Sequence, residues 1–133
     1  MADLLKFSIP GKPEYVQMVR LAIGSIAGKA NYDMEAVEDI KVAVAEACKN
    51  IFCHGQESFL SRYEIACEIN KEDMRIDVTD TCDGPGPKKF NKPCDQCPDE
   101  GNLGVAVIES LMDEVTISID EHKKKRITMV KNR

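Results

Sequence analysis

The order of apolar patterns along this chain predicts an α+β fold: a two-layer sandwich, with about three helices covering one face of a mixed, mostly antiparallel sheet. Two patterns carry that reading. Short segments alternate apolar and polar residues as half-buried strands do, and three longer ones repeat apolar residues at helical spacing. The third observation is their sequence, β-α-α-β-β-loop-α-β-β, which gives two strand pairs joined by local turns. The 133 residues are expected to form one domain spanning 1–133. Such a chain buries a core without metal or disulfide staples.

Leu5, Phe7 and Ile9 alternate with polar neighbours as a first strand, which Pro10-Gly11 ends. Pro13 precedes a helix expected from about Glu14 to Lys29. Val16, Val19, Ile23 and Ile26 form its stripe, filled by Tyr15, Met18 and Ala22. Asn31 to Asp33 break it, and Asp33 is placed to cap a second helix that runs to about Cys53. Its stripe is Val37, Ile40, Ala43, Val44 and Ala47. Tyr63, Ile65, Cys67 and Ile69 make a strand; after a polar turn at Asn70 to Asp73, Met74, Ile76 and Val78 make its partner. Residues 81–101 hold four prolines and no regular pattern, as expected of a functional lid, taken as about 84–101. A third helix, about Leu103 to Met112, leads into a final hairpin. Its strands are Val115-Ile117-Ile119 and Ile127-Met129, and its tip is charged, EHKKKR.

A formal net charge of −5 argues against nucleic acid as a direct partner. No apolar run approaches the ~20 residues needed to cross a bilayer, and the first residues lack a basic leader. A cytoplasmic protein is expected. Its six cysteines are then reduced thiols rather than a disulfide framework.

Glu46 and Asn50, four residues apart on the second helix, project about 40° from one another along the margin of the apolar stripe. A carboxylate beside a carboxamide offers a base and a neutral oxygen ligand for hydrated Mg²⁺ next to a phosphate. A solvated helix edge uses the same residues. Asp80 continues the phase of Met74, Ile76 and Val78. If the strand continues, that carboxylate sits at a buried rim and needs a donor, such as the two N–H groups of an exocyclic amine. If the strand stops at Val78, Asp80 opens a solvated turn. Gly84 and Gly86 follow it, and Gly101-Asn102-Leu103-Gly104 opens the third helix. Glycines ahead of a helix let backbone N–H groups approach phosphate oxygens, although turns and caps use them as well.

The stretches KPEYVQMVRLAIGSIA, EDIKVAVAEACKN and LGVAVIESLMDEV, in this order and spacing, resemble the bacterial anti-sigma-factor serine kinases of the GHKL (Bergerat-fold) ATPase superfamily. The likeness runs from about Phe7 to Lys131. It implies ATP and Mg²⁺ as cofactors, with Glu46 as general base, Asn50 holding Mg²⁺ and Asp80 binding the adenine amine. Gly84, Gly86, Gly101, Asn102, Leu103 and Gly104 would let lid and helix backbone wrap the phosphates. It also implies transfer of the γ-phosphoryl group to a serine of a STAS-type anti-anti-sigma antagonist, and a homodimer that sequesters a sigma factor. Arg20 is a conceivable partner contact or an ordinary exposed arginine.

Three positions depart from the family pattern. Cys82 stands at the first glycine of the first glycine box, Asn102 replaces a frequent glycine, and Arg126 replaces a threonine near the nucleotide. Two alternatives follow: a catalytically impaired partner-switching module, or a metal- or redox-sensing regulator. In the latter, Cys53, Cys82, Cys94 and Cys97 would converge on a metal, or the Cys94–Cys97 pair would cycle.

Overall fold

The computed structural model describes residues 3–10, 14–52, 62–80, 100–119 and 125–133; for residues 50–52, 62, 80, 100–104, 119 and 125 it describes the backbone alone. The elements are β1 (Asp3–Pro10), α1 (Glu14–Lys29), α2 (Met34–Phe52), β2 (Arg62–Ile69), β3 (Asp73–Asp80), α3 (Glu100–Leu111), β4 (Glu114–Ile119) and β5 (Lys125–Asn132). The strands form one sheet in the order β1-β2-β3-β5-β4. Its four pairings are all antiparallel, where a mixed, mostly antiparallel sheet was expected. The reason is a count of reversals. Two helices between β1 and β2 return the chain to the end from which it runs against β1. One helix plus one hairpin strand does the same for β5 against β3.

The register builds continuous apolar rows across the sheet. Phe7, Ile65, Val78, Ile127 and Ile117 form one, and Leu5, Cys67, Ile76, Met129 and Val115 the next. Onto their central members pack Val19, Ile23 and Ala27 of α1, Ile40, Val44 and Ala47 of α2, and Ile108 of α3. Each isoleucine so buried contributes roughly 1.5–3 kcal/mol relative to exposure. The opposite sheet face carries Glu64, Glu68, Arg75, Asp77, Thr116 and Arg126. There Thr128 Oγ1 donates to Asp77, whose other oxygen lies 3.6 Å from Arg75 Nε.

Three expectations change. Met18 does not fill the α1 stripe but is 61% exposed; at 100° per residue it lies about 200° round the helix from Val16, on the solvated side. Helix α3 starts at Glu100, so Glu100 and Gly101, the end of the expected lid, belong to it, as does Asn102. Strand β5 starts at Lys125, which takes Lys125 and Arg126 out of the hairpin tip. Asp33 caps α2 as expected: Ala36 N–H donates to Asp33 Oδ1 at 2.8 Å.

Candidate functional site

Contacts at one end of the molecule fix how the elements run. The Tyr32 hydroxyl, just before α2, donates to the Lys131 carbonyl at 2.7 Å. Arg133 donates to the carbonyls of Ala30 and Asn70, and its guanidinium lies 5.3 Å from the centre of the Tyr32 ring. Asn70 Nδ2 donates to Asp73 Oδ1 at 2.8 Å across the β2–β3 turn. The start of α2, the start of β3 and the end of β5 therefore share this end. From it, α2 climbs about 25 Å between Asp33 and Asn50 at 1.5 Å per residue. Strand β3 climbs about 23 Å between Asp73 and Asp80 at 3.3 Å per residue. Asn50 and Asp80 reach the same level at the opposite end.

Helix α3 arrives there from the other direction. Lys131 Nζ donates to the Leu111 carbonyl at 2.6 Å and lies 3.7 Å from Asp39 Oδ2 on α2. The C-terminus of α3 thus sits beside Asp39. Counting back ten residues, about 15 Å, brings Gly101 level with Lys49 and Asn50. Asp39, Glu46 and Asn50 fall within about 40° of one another on α2, on the strip that faces α3. The end of α2, the end of β3 and the glycine-containing start of α3 meet at one corner of the helical layer.

Glu46 is half-buried at this corner, and its Oε2 lies 3.6 Å from Lys49 Nζ. Strand β3 extends through Asp80, whose backbone pairs with that of Tyr63, and does not stop at Val78. Tyr63 itself is fully buried beneath the corner. Arg126 is exposed, in register with Thr79 and Ser118 on the face turned away from the helices. Gly84 and Gly86, the lid, and Cys53, Cys82, Cys94 and Cys97 lie outside the described residues. Cys48 and Cys67 are buried free thiols, and burial pushes both up to about 12.

Sequence reasoning missed Lys49 and Lys131. The i, i+3 spacing of Glu46 and Lys49 was a usable signal; nothing local marks Lys131, which meets its partners only in the folded chain. Helix α3 has 12 residues with two glycines in or beside its first turn, and the first-turn N–H groups of a helix have no partner within it. The residue types on α2, a carboxylate at 46 and a carboxamide at 50, are ones that can serve a magnesium nucleotide.

A family model, the histidine kinase-like ATPase domain, matches residues 9–131. The chain is 35% identical over 144 residues to the serine-protein kinase RsbW of Bacillus licheniformis, which covers 99% of this chain and 88% of that protein. It is 32% identical to the serine-protein kinase RsbW of Bacillus cereus strain G9842, covering 90% of this chain and 79% of that one. The crystal structure of the RsbU and RsbW domains of Rv1364c from Mycobacterium tuberculosis superposes with a TM-score of 0.71 at 17% identity. That match covers 97% of this chain and 31% of the other, and it shows a common fold.

Proposed function

Because this chain belongs to the histidine kinase-like ATPase domain family, in the company of the RsbW serine-protein kinases, we propose that it is an anti-sigma-factor protein serine kinase using Mg-ATP. The observation that carries the reading is the corner itself, where a base-bearing helix, a strand ending in Asp80 and a helix N-terminus converge. Asp80 accepts from the adenine amine. The first-turn N–H groups of α3, opened by Gly101 and Gly104 with Asn102 and Leu103 between, receive the phosphates, helped by Gly84 and Gly86 on the lid. Asn50 holds Mg²⁺, which when bound neutralises phosphate charge. Glu46 accepts the proton of the acceptor serine as its oxygen bonds the γ-phosphorus and the bond to the β-phosphate oxygen breaks, releasing ADP. Most of the rate then comes from positioning and charge placement.

The acceptor is a serine on a STAS-type anti-anti-sigma protein. The kinase acts as a homodimer that holds a sigma factor, and nucleotide and phosphorylation state select between the partners. Residues 1–133 act as one such unit. No helix among the described residues is long and apolar enough to cross a membrane. The test is to incubate the protein with γ-labelled Mg-ATP and a STAS-type antagonist. Label appearing on an antagonist serine, and absent with Glu46→Gln, is the expected result. Partner capture without label would instead favour a switching module that has lost transfer, and no nucleotide binding by titration calorimetry would remove the kinase.

A further inference from the structure

We propose that Lys49 senses the γ-phosphate: its ammonium leaves Glu46 for the terminal phosphate when the triphosphate binds, freeing the carboxylate to take the acceptor's proton only in the loaded site. This rests on the nucleotide-binding reading above. Lys49 stands three residues after Glu46 and one before Asn50, with its Nζ 3.6 Å from Glu46 Oε2. That distance exceeds the 2.7–2.9 Å typical of a tight charge-assisted contact. Lys49 is 64% exposed and Glu46 27%, so the pair is held weakly and a multiply charged phosphate outcompetes a single carboxylate for the ammonium.

Reach follows from the chemistry of Glu46. A general base comes within hydrogen-bond distance of the acceptor oxygen, and that oxygen approaches phosphorus to about 3–3.5 Å. An ammonium resting on Glu46 is then only a few ångströms from the terminal phosphate, within the swing of its four-carbon stem. The other α2 lysine is committed elsewhere. Lys41 pairs with Glu38 at 3.2 Å, and its stem covers Gly24 on the α1 side. Lys131 is held on the Leu111 carbonyl. ADP lacks the group that draws Lys49 away, so with ADP the ion pair persists and Glu46 stays engaged. The site thereby distinguishes the two nucleotides through a residue that neither coordinates metal nor reads the base.

The experiment is calorimetric titration of the wild-type protein, Lys49→Met and Lys49→Arg with the magnesium complexes of ADP and of the β,γ-imido analogue of ATP. Lys49 is solvated, so far-UV circular dichroism and the melting midpoint of each variant should match wild type. Lys49→Met is expected to weaken the imido analogue about three- to ten-fold, with ADP affinity within two-fold of wild type and Lys49→Arg retaining the preference. Equal effects on both nucleotides, or none on either, overturn the γ-phosphate role while leaving nucleotide binding in place. A wild-type protein that binds neither nucleotide takes down the underlying reading and this proposal together.

Discussion

Two carboxylates at the corner differ in what their loss would do, and the difference separates recognition from chemistry. Asp80→Asn exchanges a pure acceptor for a group that presents an N–H to the adenine amine, so magnesium-nucleotide affinity is expected to fall at least ten-fold by calorimetry. Glu46→Gln keeps shape and removes the proton acceptor. Its nucleotide affinity should stay within a few-fold of wild type, while labelled phosphate on the antagonist drops about 10²–10⁴-fold. A Glu46→Gln protein that still transfers at the wild-type rate would move the base elsewhere. At this scale the positions of Glu46 and Asn50 along one helix and of Asp80 in its strand were legible, because helical and strand periods follow from residue spacing. Met18 is apolar yet lies on the solvated side of α1, so hydrophobicity alone misplaces it. Residues 84–97, which carry Gly84, Gly86 and the lid cysteines, have no period at all, so nothing in their order specifies where their backbone goes.

Among the elements, α2 bears most of the architecture. It packs between α1 and α3, covers β3 and β5, and carries Glu46 and Asn50 at its far end. Its start is set by Asp33, whose carboxylate accepts from the first-turn N–H of Ala36. Asp33→Ala leaves that donor unpaired and removes a negative charge from the helix N-terminus, at an expected cost of about 1 kcal/mol in urea denaturation, whereas Asp33→Ser should recover most of it. Helix and strand identities were legible from period alone, and α1 was expected over the residues it occupies. Boundaries were less so. The early start of α3 at Glu100 depends on packing against α2, since glycine and asparagine are poor helix formers on their own. The strand order β1-β2-β3-β5-β4 also lay beyond local pattern, as nothing in β5 itself says that it lies inside β4.

For the whole molecule, the two buried thiols among the described residues give stability a defined dependence on alkali. Cys48 and Cys67 ionise near 9 in an unfolded chain, and burial pushes them up to about 12 in the fold. Between those values the unfolded state has lost protons that the folded state keeps, so stability is full below pH 9 and declines as pH rises through this window. Each thiol costs about 1.4 kcal/mol per pH unit there. Urea midpoints should fall between pH 9 and 10.5, and a Cys48→Ala/Cys67→Ala protein should show a shallower decline. A thiol reagent should leave both residues unmodified until the protein unfolds.

Helix α3 is tied to the sheet at its C-terminal end. Its last turn is fastened: Lys131 binds the Leu111 carbonyl, Asp113 N–H reaches the Val130 carbonyl, and Asn132 N–H reaches the Asp113 carboxylate. The C-terminal end of the helix is thus anchored on β5. In deuterium labelling, amides at Ser110 to Met112 should be protected, and Lys131→Met, which removes one of these ties, should speed their exchange.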